Sequence, residues 1–188
     1  CSVDGTKEIL KRIDDPRVRI IYHSENKGKG AAIRTAQEYF KGEVVIIQDA
    51  DLEYNPEDYL KLIKPLEEGS ARVVYGSRFL YSGNTFTPRN YWGNKLLTWL
   101  TNVLYRANLT DMETCYKAFH REVFKKLHIK ANRFEFEPEV TAKILKLRIK
   151  IIEVPISYYG RGYKQGKKIT WKDGFIAMWT LIKYRFIN

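Results

Sequence analysis

Two aspartates spaced one residue apart, Asp49 and Asp51, are the clearest candidates for chemistry in this sequence. They follow the run Val44–Ile47, whose β-branched residues favour a strand that is buried on both faces. Open α/β sheets bind their ligands beyond the carboxyl ends of such strands. Two carboxylates there can share one hard cation with the oxygens of a diphosphate, and Glu53 is near enough to add a third ligand. The alternative is an acidic loop without a ligand, because an Asp-x-Asp pattern alone is a weak signal.

Three arginines in predicted loops suggest that phosphate is handled nearby. Arg78 follows the predicted strand 71–75, so it should open onto the same sheet edge as Asp51. Arg89 follows a proline, and Arg161 lies between two glycines that let the backbone approach a ligand closely. A guanidinium group matches phosphate oxygens in a bidentate geometry. Each arginine alone is as readily explained by a surface ion pair, but together with the acid pair they indicate a phosphate-binding site.

Acids in the second half of the sequence are candidates for a general base. A transferase whose acceptor is a hydroxyl needs such a base, whereas a phosphate oxygen is already ionised at pH 7. The helix macrodipole offers another reason for acids at a helix start, and for Glu139 we favour that explanation. The candidates are Asp111, Glu113, Glu135, Glu137 and Glu139.

The spacing of apolar residues predicts strands and helices that alternate around these candidates. Such alternation favours a doubly wound α/β domain with right-handed crossovers and a mostly parallel central sheet. The polar residues 81–88 form a candidate mobile lid. The predicted strands are residues 18–22, 43–48, 71–75, 116–119 and 148–154, and the predicted helices are 6–13, 31–40, 56–66, 92–104, 122–127 and 137–147.

The composition describes one sizeable domain with a basic tail. The chain has 188 residues, of which 44% are apolar, and a net charge of +11. Residues 148–188 hold nine lysines and arginines against two acids and supply +7 of that charge. Such a tail suggests an anionic partner, which could be a membrane surface, a phosphorylated substrate or nucleic acid, or else it is a solvated face that aids solubility. Two cysteines and no visible signal peptide favour a reducing compartment.

The end of the sequence differs in character from the rest, so we expect two regions, residues 1–159 and residues 160–188. Aromatic and apolar residues recur at helical spacing after Thr170, with cationic residues between them. A helix of this kind can lie in a membrane interface, or it can pack on the core as a terminal helix. The residues are Trp171, Phe175, Ile176, Trp179, Ile182 and Phe186.

The first residues indicate a turn that leads into a helix, with no strand before it. A parallel α/β sheet rarely begins in this way, and the sequence does not open on Met. We therefore expect the sequence to be the later part of a longer protein.

Four short motifs occur in order along the chain, at Cys1–Thr6, Asn26–Gly30, Gln48–Leu52 and Gly76–Arg78. As a set they resemble glycosyltransferase family 2, nearest to its dolichyl-phosphate mannosyltransferase-like branch, the polyprenyl-phosphate glycosyltransferases. The resemblance covers nearly the whole chain. It implies a GT-A fold and inverting transfer of a hexose from a nucleotide sugar with Mg²⁺ or Mn²⁺.

The resemblance also implies roles for the candidate residues. Asp49 and Asp51 would bind the metal and the donor diphosphate, and Glu53 falls where that branch often has Gln as a further ligand. The three arginines would surround the acceptor phosphate, although Gly93 stands where a serine is expected. Asp111 matches an aspartate ahead of the family's Gly-Phe-Arg-like triplet, which is Cys115–Lys117 here. The predicted catalytic residues are Asp51, Arg78 and Asp111; the predicted metal ligands are Asp49, Asp51 and Glu53; and the predicted substrate-binding residues are Lys29, Asp49, Arg78, Arg89, Arg161 and Lys167.

Both ends of the chain bear on this comparison. Family members carry a strand, a nucleotide-binding loop and paired acids before the equivalent of Cys1, and those parts bind the base and the ribose. The chain by itself is therefore a candidate inactive fragment, and the base is the least determined part of the substrate. Residues 163–174 resemble the juxtamembrane segment of members that work at the cytoplasmic face of a bilayer, which favours the interfacial interpretation of the tail.

The expected function is transfer of a hexose from a GDP- or UDP-sugar to a polyprenyl phosphate at the cytoplasmic membrane surface, in cell-envelope or glycan biosynthesis. One alternative is a saccharide or lipid hydroxyl acceptor with Asp111 as the base. An alternative of another class is a nucleic-acid-binding protein, which we do not expect because the basic residues lie mainly in one tail and no binding module is recognisable. A purely structural, catalytically inactive fragment is the third.

Overall fold

The computed structural model describes residue 2, residues 4–160 and residues 171–187, in which a four-stranded sheet has helices on both faces. The strands are β1 (Val44–Ile46), β2 (Val73–Ser77), β3 (Lys117–His120) and β4 (Ile151–Pro155). The helices are α1 (Thr6–Leu10), α2 (Lys29–Gln37), α3 (Tyr59–Glu67), α4 (Pro88–Tyr105), α5 (Arg121–Lys126), α6 (Phe136–Lys146) and α7 (Trp171–Phe186).

The sheet is mixed, and its strand order is β1-β3-β2-β4. Strand β3 runs antiparallel to both β1 and β2, whereas β2 and β4 are parallel. Three of the four strands therefore run in the same direction, as a mostly parallel sheet requires. Two of the three strand pairs are nevertheless antiparallel, because β3 runs the other way, and to this extent the expectation is corrected. Because β3 is antiparallel, it starts at the edge where β1 and β2 end, and the loop before it is brought to that edge.

Local signals predicted most helices, but one predicted strand is absent. Residues 18–22 are described and form no strand, and Val18, Ile21 and Tyr22 remain exposed. Helix α4 starts at Pro88, four residues earlier than expected, because proline is well suited to the first helical position. Ahead of α3, the Asn55 side chain accepts a hydrogen bond from the backbone N–H of Glu57 at 3.1 Å, as an N-cap does.

The two faces of the sheet have separate cores. Along β2, Val73 and Tyr75 point to the core shared with α4, α6 and α7. Val74 points to the opposite core, which α3 covers with Leu62 and Leu66. The alternation follows from the two-residue period of a strand, and it places the carboxyl ends of β1 and β2 between two packed layers.

Helix α7 packs on α4 and α6 through a buried face that includes Ala177, Leu181 and Tyr184. The Tyr105 hydroxyl of α4 donates a hydrogen bond to the Leu181 carbonyl at 2.7 Å. The opposite face of α7 is exposed and aromatic, so the helix has both a core-packing side and a side that faces away. Within residues 4–160 and 171–187, no helix combines the length and the apolar character needed to cross a bilayer.

Candidate functional site

Three loops meet at the edge of the sheet where β1 and β2 end. The loop after β1 carries Asp49 and Asp51, and the chain after β2 begins with Arg78. Residues 106–116 lead into β3 and contribute acids and a thiol, and the strand itself opens on Lys117. The antiparallel β3 is thus what adds this third loop, which a purely parallel sheet would have placed elsewhere.

Lys29 contacts every other residue of the first part of the site, which consists of Asp49, Cys115 and Glu137. Its ammonium lies 2.9 Å from Asp49 Oδ2 and 2.6 Å from Glu137 Oε1. Burial by itself lowers the pKa of Lys29, but the Cys115 sulfur and the two carboxylates raise it well above its ordinary value. The lysine therefore stays charged and holds two acids that are distant in sequence.

The backbone of two glycines brings Lys29 to this position. Gly28 has φ of 90°, a conformation that L side chains rarely adopt, and it leads into α2. A Cβ on Gly30 would lie 2.6 Å from the Ala131 carbonyl oxygen, so α2 starts in close contact with the segment ahead of α6. The backbone N–H of Ala31 donates to the Asn132 carbonyl at 3.0 Å and fixes that contact. Glycine at both positions is what lets the lysine reach α6.

Cys115 lies beside the same lysine, with its sulfur 3.3 Å from the ammonium. Burial raises the pKa of the Cys115 thiol to about 12, even though Lys29 acts in the opposite direction. The group is thus a protonated thiol at neutral pH. It packs in the site and lacks the thiolate that nucleophilic chemistry needs.

The segment with Asp51 is a tight turn. Asp51 Oδ1 accepts a hydrogen bond from the backbone N–H of Glu53 at 3.3 Å. Between them, Leu52 has φ of 59° and is 91% exposed, an unfavourable conformation for a residue that gains nothing from packing. The turn keeps Asp51 at the edge of the sheet beside Asp49.

Glu53, the predicted third metal ligand, contacts Tyr158 on its way into the core. Its side chain is buried and accepts a hydrogen bond from the Tyr158 hydroxyl at 3.1 Å. Among the described residues, no three His, Cys, Asp or Glu side chains are close enough together to hold a metal ion. Asp49 and Asp51 remain a fit for Mg²⁺ or Mn²⁺, because Mg²⁺ is usually bound by one or two carboxylates together with substrate phosphates and water.

Arg78 and Asp111 form the second part of the site, and both are buried. The guanidinium Nε and Nη2 donate to the two carboxylate oxygens of Asp111, each at 2.7 Å. The backbone N–H of Arg78 also donates to Asp111 Oδ2 at 3.0 Å. Burial alone lowers the pKa of Arg78, but Asp111 raises it well above its ordinary value. Asp111 thus positions the arginine. Both of its oxygens are buried and engaged by Arg78, so neither is accessible as a general base.

Two tyrosines connect the two parts. The ring of Tyr158 lies 5.1 Å from the Arg78 guanidinium and packs edge-on against the ring of Tyr54. The Tyr54 hydroxyl accepts a hydrogen bond from the backbone N–H of Cys115 at 3.1 Å. A continuous set of contacts thus runs from Arg78 through these tyrosines and Cys115 to Lys29 and Asp49.

The sequence did not predict the placement of Lys117, which is buried at the start of β3, or of Glu113 in the loop before it. Lys117 donates to the backbone carbonyls of Met112 and Thr114, and burial lowers its pKa. Glu113 Oε1 is buried and has no hydrogen-bond partner among the described residues. Burial and the negative charge of Glu137 raise the pKa of Glu113 to about 8. The two-residue period of β3 was the available signal, since it places Lys117 on the same face as the core residue Phe119.

The remaining predicted residues lie apart from this cluster or outside the described residues. Arg89 is exposed in the first turn of α4. A Cβ on Gly93 would meet nothing within 4 Å, so the position leaves room for the serine that the family comparison led us to expect. Arg161 and Lys167 lie outside the described residues.

The predicted lid, residues 81–88, is tied to the body of the protein by Asn84. Its side-chain amide donates to the Arg78 carbonyl at 2.7 Å and to the Ile156 carbonyl at 2.8 Å. Its oxygen accepts from the backbone N–H of Tyr158 at 2.7 Å. The loop therefore helps to hold both Arg78 and the tyrosine beside it.

Comparison with known sequences identifies relatives among archaeal glycosyltransferases. Glycosyltransferase AglJ of Haloferax volcanii is 30% identical over 162 residues, which is 85% of this chain and 52% of the relative. Hexosyltransferase Agl6 of low-salt glycan biosynthesis, from the same organism, is 27% identical over the whole chain and 44% of the relative. A UDP-N-acetylglucosamine–dolichyl-phosphate N-acetylglucosaminyltransferase of Methanococcus voltae is 27% identical over 96% of this chain and 80% of the relative. The chain thus spans about half the length of the first two relatives.

Solved structures support the predicted GT-A fold. The glucosyl-3-phosphoglycerate synthase of Mycobacterium tuberculosis, crystallised with phosphoglyceric acid, aligns with a TM-score of 0.69 at 17% identity. The alignment covers all of this chain and 67% of that one. The same enzyme crystallised with Mn²⁺, UDP-glucose and phosphoglyceric acid aligns with a TM-score of 0.62 at 20% identity, over 92% of this chain and 58% of that one.

The sequence match extends through the motifs that carry the site. Residues 1–128 match the family described as glycosyl transferase family 2, and this range includes Lys29, Asp49, Asp51, Arg78 and Asp111. The resemblance inferred from four short motifs is thereby confirmed, and the chain belongs to glycosyl transferase family 2.

Proposed function

We propose that the protein transfers a hexose from a nucleotide sugar to a polyprenyl phosphate, by an inverting and metal-dependent reaction. The observation that carries the proposal is the Lys29–Asp49 contact at the carboxyl end of β1. The Arg78–Asp111 pair forms the second part of the same site. Membership of the family supports transfer. The named activity of the Methanococcus voltae relative supports a lipid-phosphate acceptor, and the Mn²⁺ and UDP-glucose complexes of the mycobacterial enzyme support the donor and the metal.

Asp49 and Asp51 are the residues that would hold Mg²⁺ or Mn²⁺. A bound ion would supply neutralisation of the charge that develops on the leaving nucleoside diphosphate. Lys29 adds a permanently charged ammonium beside Asp49, so it can bind a diphosphate oxygen as the donor enters. This part of the site acts mainly by electrostatics.

Arg78 is the candidate for holding the acceptor phosphate. Asp111 uses two N–H groups of the guanidinium and fixes its plane, while an arginine carries five such donors in all. The attacking phosphate oxygen is ionised at neutral pH, so this reaction asks the protein for positioning and not for a base. Arg89 and, outside the described residues, Arg161 and Lys167 are proposed to help with the same phosphate.

A hydroxyl acceptor is the second candidate, and Glu113 is the observation that favours it. The buried Oε1 atom of Glu113, which has no hydrogen-bond partner in the described part of the chain, could take a proton from a hydroxyl. Its pKa of about 8 is near the value that suits a general base at neutral pH. Asp111, the base expected from the sequence, is less suited because Arg78 engages both of its oxygens.

Association with the cytoplasmic membrane surface is part of the proposal. All four tryptophans of the protein lie on α4 or α7 and are 60–70% exposed. Trp92 and Trp99 share an exposed stripe of α4, opposite the side of that helix that packs on the core. Trp171 and Trp179 form the corresponding stripe of α7. Tryptophan is enriched where protein meets a bilayer interface, and the basic tail would favour anionic lipid.

The test is donor binding and transfer by the full-length protein. Calorimetry with UDP-glucose, UDP-N-acetylglucosamine and GDP-mannose, each with Mn²⁺, Mg²⁺ or EDTA, would identify the nucleotide and the metal. Transfer to polyprenyl phosphate and to the matching polyprenol would distinguish the two acceptors. Metal-dependent binding that is lost in Asp51→Asn supports the proposal. Binding of none of the donors, or full activity of Asp51→Asn, would overturn it.

A further inference from the structure

A cavity lined by residues outside the candidate site lies between α5, α6 and α7. Its volume is about 480 Å³, within the range of small-molecule sites. Lysines dominate the polar part of its wall, and Leu127, Leu147 and Ile187 form an apolar part. The lysines are Lys126, Lys130, Lys143 and Lys146.

The buried carboxylate next to this cavity does not neutralise these lysines as a group. Glu139 forms an ion pair with Lys143 and accepts a hydrogen bond from the Tyr184 hydroxyl at 3.0 Å. It also accepts from the backbone N–H groups of Lys130 at 2.8 Å and Ala131 at 2.6 Å. Its negative charge is therefore balanced by Lys143 and by backbone dipoles. Within the described residues, the ammonium groups of Lys126 and Lys130 form no ion pair.

Two of the four lysines are held in place by hydrogen bonds to the backbone. Lys143 donates to the carbonyl of His128, and Lys146 Nζ donates to the carbonyl of Ile187 at 3.0 Å. These bonds join α6 to the segment after α5 and to the end of α7. Cations collected around one cavity repel one another, and an anion placed among them would relieve that repulsion.

We propose that this cavity binds the phosphate ester of an organic molecule. The phosphate would lie among the lysine ammonium groups, and the carbon part would cover Leu127, Leu147 and Ile187. A divalent phosphate suits a cavity lined by several lysines better than a single carboxylate does. A lipid headgroup and a small phosphorylated metabolite share this chemistry. The site does not rest on the transferase proposal, so Asp51→Asn should leave it intact.

Phenyl phosphate is the probe, because it combines a phosphate with an apolar ring. Titration into the ¹⁵N-labelled protein, followed by NMR at constant ionic strength, should give saturable shifts at residues 126–130 and 143–147. Inorganic phosphate should bind the same residues more weakly, since it lacks the apolar part. Phenol at the same concentrations should produce no saturable shift there.

A pair of charge-matched variants separates a built site from general basicity. Lys126→Ala/Lys130→Ala should weaken binding at least tenfold, whereas Lys125→Ala/Lys150→Ala, which removes two exposed lysines outside the cavity, should change it less than twofold. Competition by phosphatidic acid vesicles, but not by phosphatidylcholine vesicles, would assign the site to a lipid headgroup. Lack of competition would assign it to a small ester. Equal weakening in both variants, or no saturable binding of phenyl phosphate, would overturn the proposal.

Discussion

The two ion-paired groups at the sheet edge differ in how fully their oxygens are used. In the Arg78–Asp111 pair, both carboxylate oxygens accept from one guanidinium, and the backbone of Arg78 adds a third bond. In the Lys29 group, one ammonium serves Asp49 and Glu137, and Asp49 stays partly exposed at the end of β1. In the first, saturated pair, the Asp111 carboxylate has both oxygens engaged and can only hold its arginine in place, whereas in the second, unsaturated group Asp49 can exchange its lysine for a ligand. We infer that the first positions the acceptor end of the site and the second receives the donor.

The largest expected effect comes from breaking the saturated pair. Asp111→Ala leaves the Arg78 charge buried without its partner, which should lower the free energy of unfolding by about 3–5 kcal/mol. Urea unfolding monitored by circular dichroism would measure it. The double variant Arg78→Met/Asp111→Leu removes both charges and should recover most of the loss, even if the single variant fails to fold. A loss under about 1 kcal/mol in Asp111→Ala would show that the pair is not the closed, buried unit described here.

Breaking the unsaturated group should affect activity more than stability. In Asp49→Asn, Lys29 keeps Glu137 at 2.6 Å, so the free energy of unfolding should fall by less than about 1 kcal/mol. Transfer should fall at least 100-fold, equivalent to about 2.7 kcal/mol, because a proposed metal ligand is lost. Steady-state kinetics and thermal unfolding of the same preparation would check both parts. Asp14→Asn, at an exposed acid far along the chain, is the control. A stability loss as large as that of Asp111→Ala would mean that the two groups do not differ.

How much of this the sequence could reveal depends on the range of each interaction. Asp49, Asp51 and Arg78 were found because a strand and the residue that follows it are local signals. The contact between Lys29 and Glu137 joins residues more than a hundred positions apart, and it depends on the start of α2 lying against the segment ahead of α6. No periodicity in the sequence predicts that.

The strands show the same limit. Residues 18–22 have a strand-like composition, yet they form no strand in the structure. The reversed direction of β3 decides which loop joins the site, and strand direction is set by tertiary packing. The sequence therefore showed Glu113 and Lys117 as residues, but it did not show that they lie at this edge of the sheet.

Glu113 lies in the loop between Asp111 and Cys115, and burial together with the negative charge of Glu137 raises its pKa. A carboxyl whose pKa is about 8 in the folded state and near 4.5 when unfolded binds more protons when folded. Its contribution to stability therefore falls as the pH rises from about 4.5 to about 8. Glu113→Gln removes this dependence, so the variant should become progressively more stable relative to the parent between pH 5 and pH 9.

Urea unfolding of the parent and of Glu113→Gln at pH 5, 7 and 9 would follow this difference. Glu122→Gln, at an exposed acid on α5, should show no comparable trend. A stability difference between the Glu113 variant and the parent that does not grow with pH would mean that the Glu113 carboxyl is solvated in the folded protein.

The smallest effect concerns the backbone of the unsaturated side. Leu52 has φ of 59° and is 91% exposed, so its side chain contributes little packing and its backbone is strained. Glycine adopts this conformation freely but loses more entropy on folding, and the two effects nearly cancel, so Leu52→Gly should stabilise the protein by less than about 1 kcal/mol. Donor affinity in Leu52→Gly should fall only a few-fold, because the turn still presents Asp51 but holds it less rigidly. Thermal unfolding together with calorimetry would measure both. A clear loss of stability would show that the Leu52 side chain contributes packing that its exposure does not reveal. The turn at Leu52 would then be as firmly fixed as the Arg78–Asp111 pair.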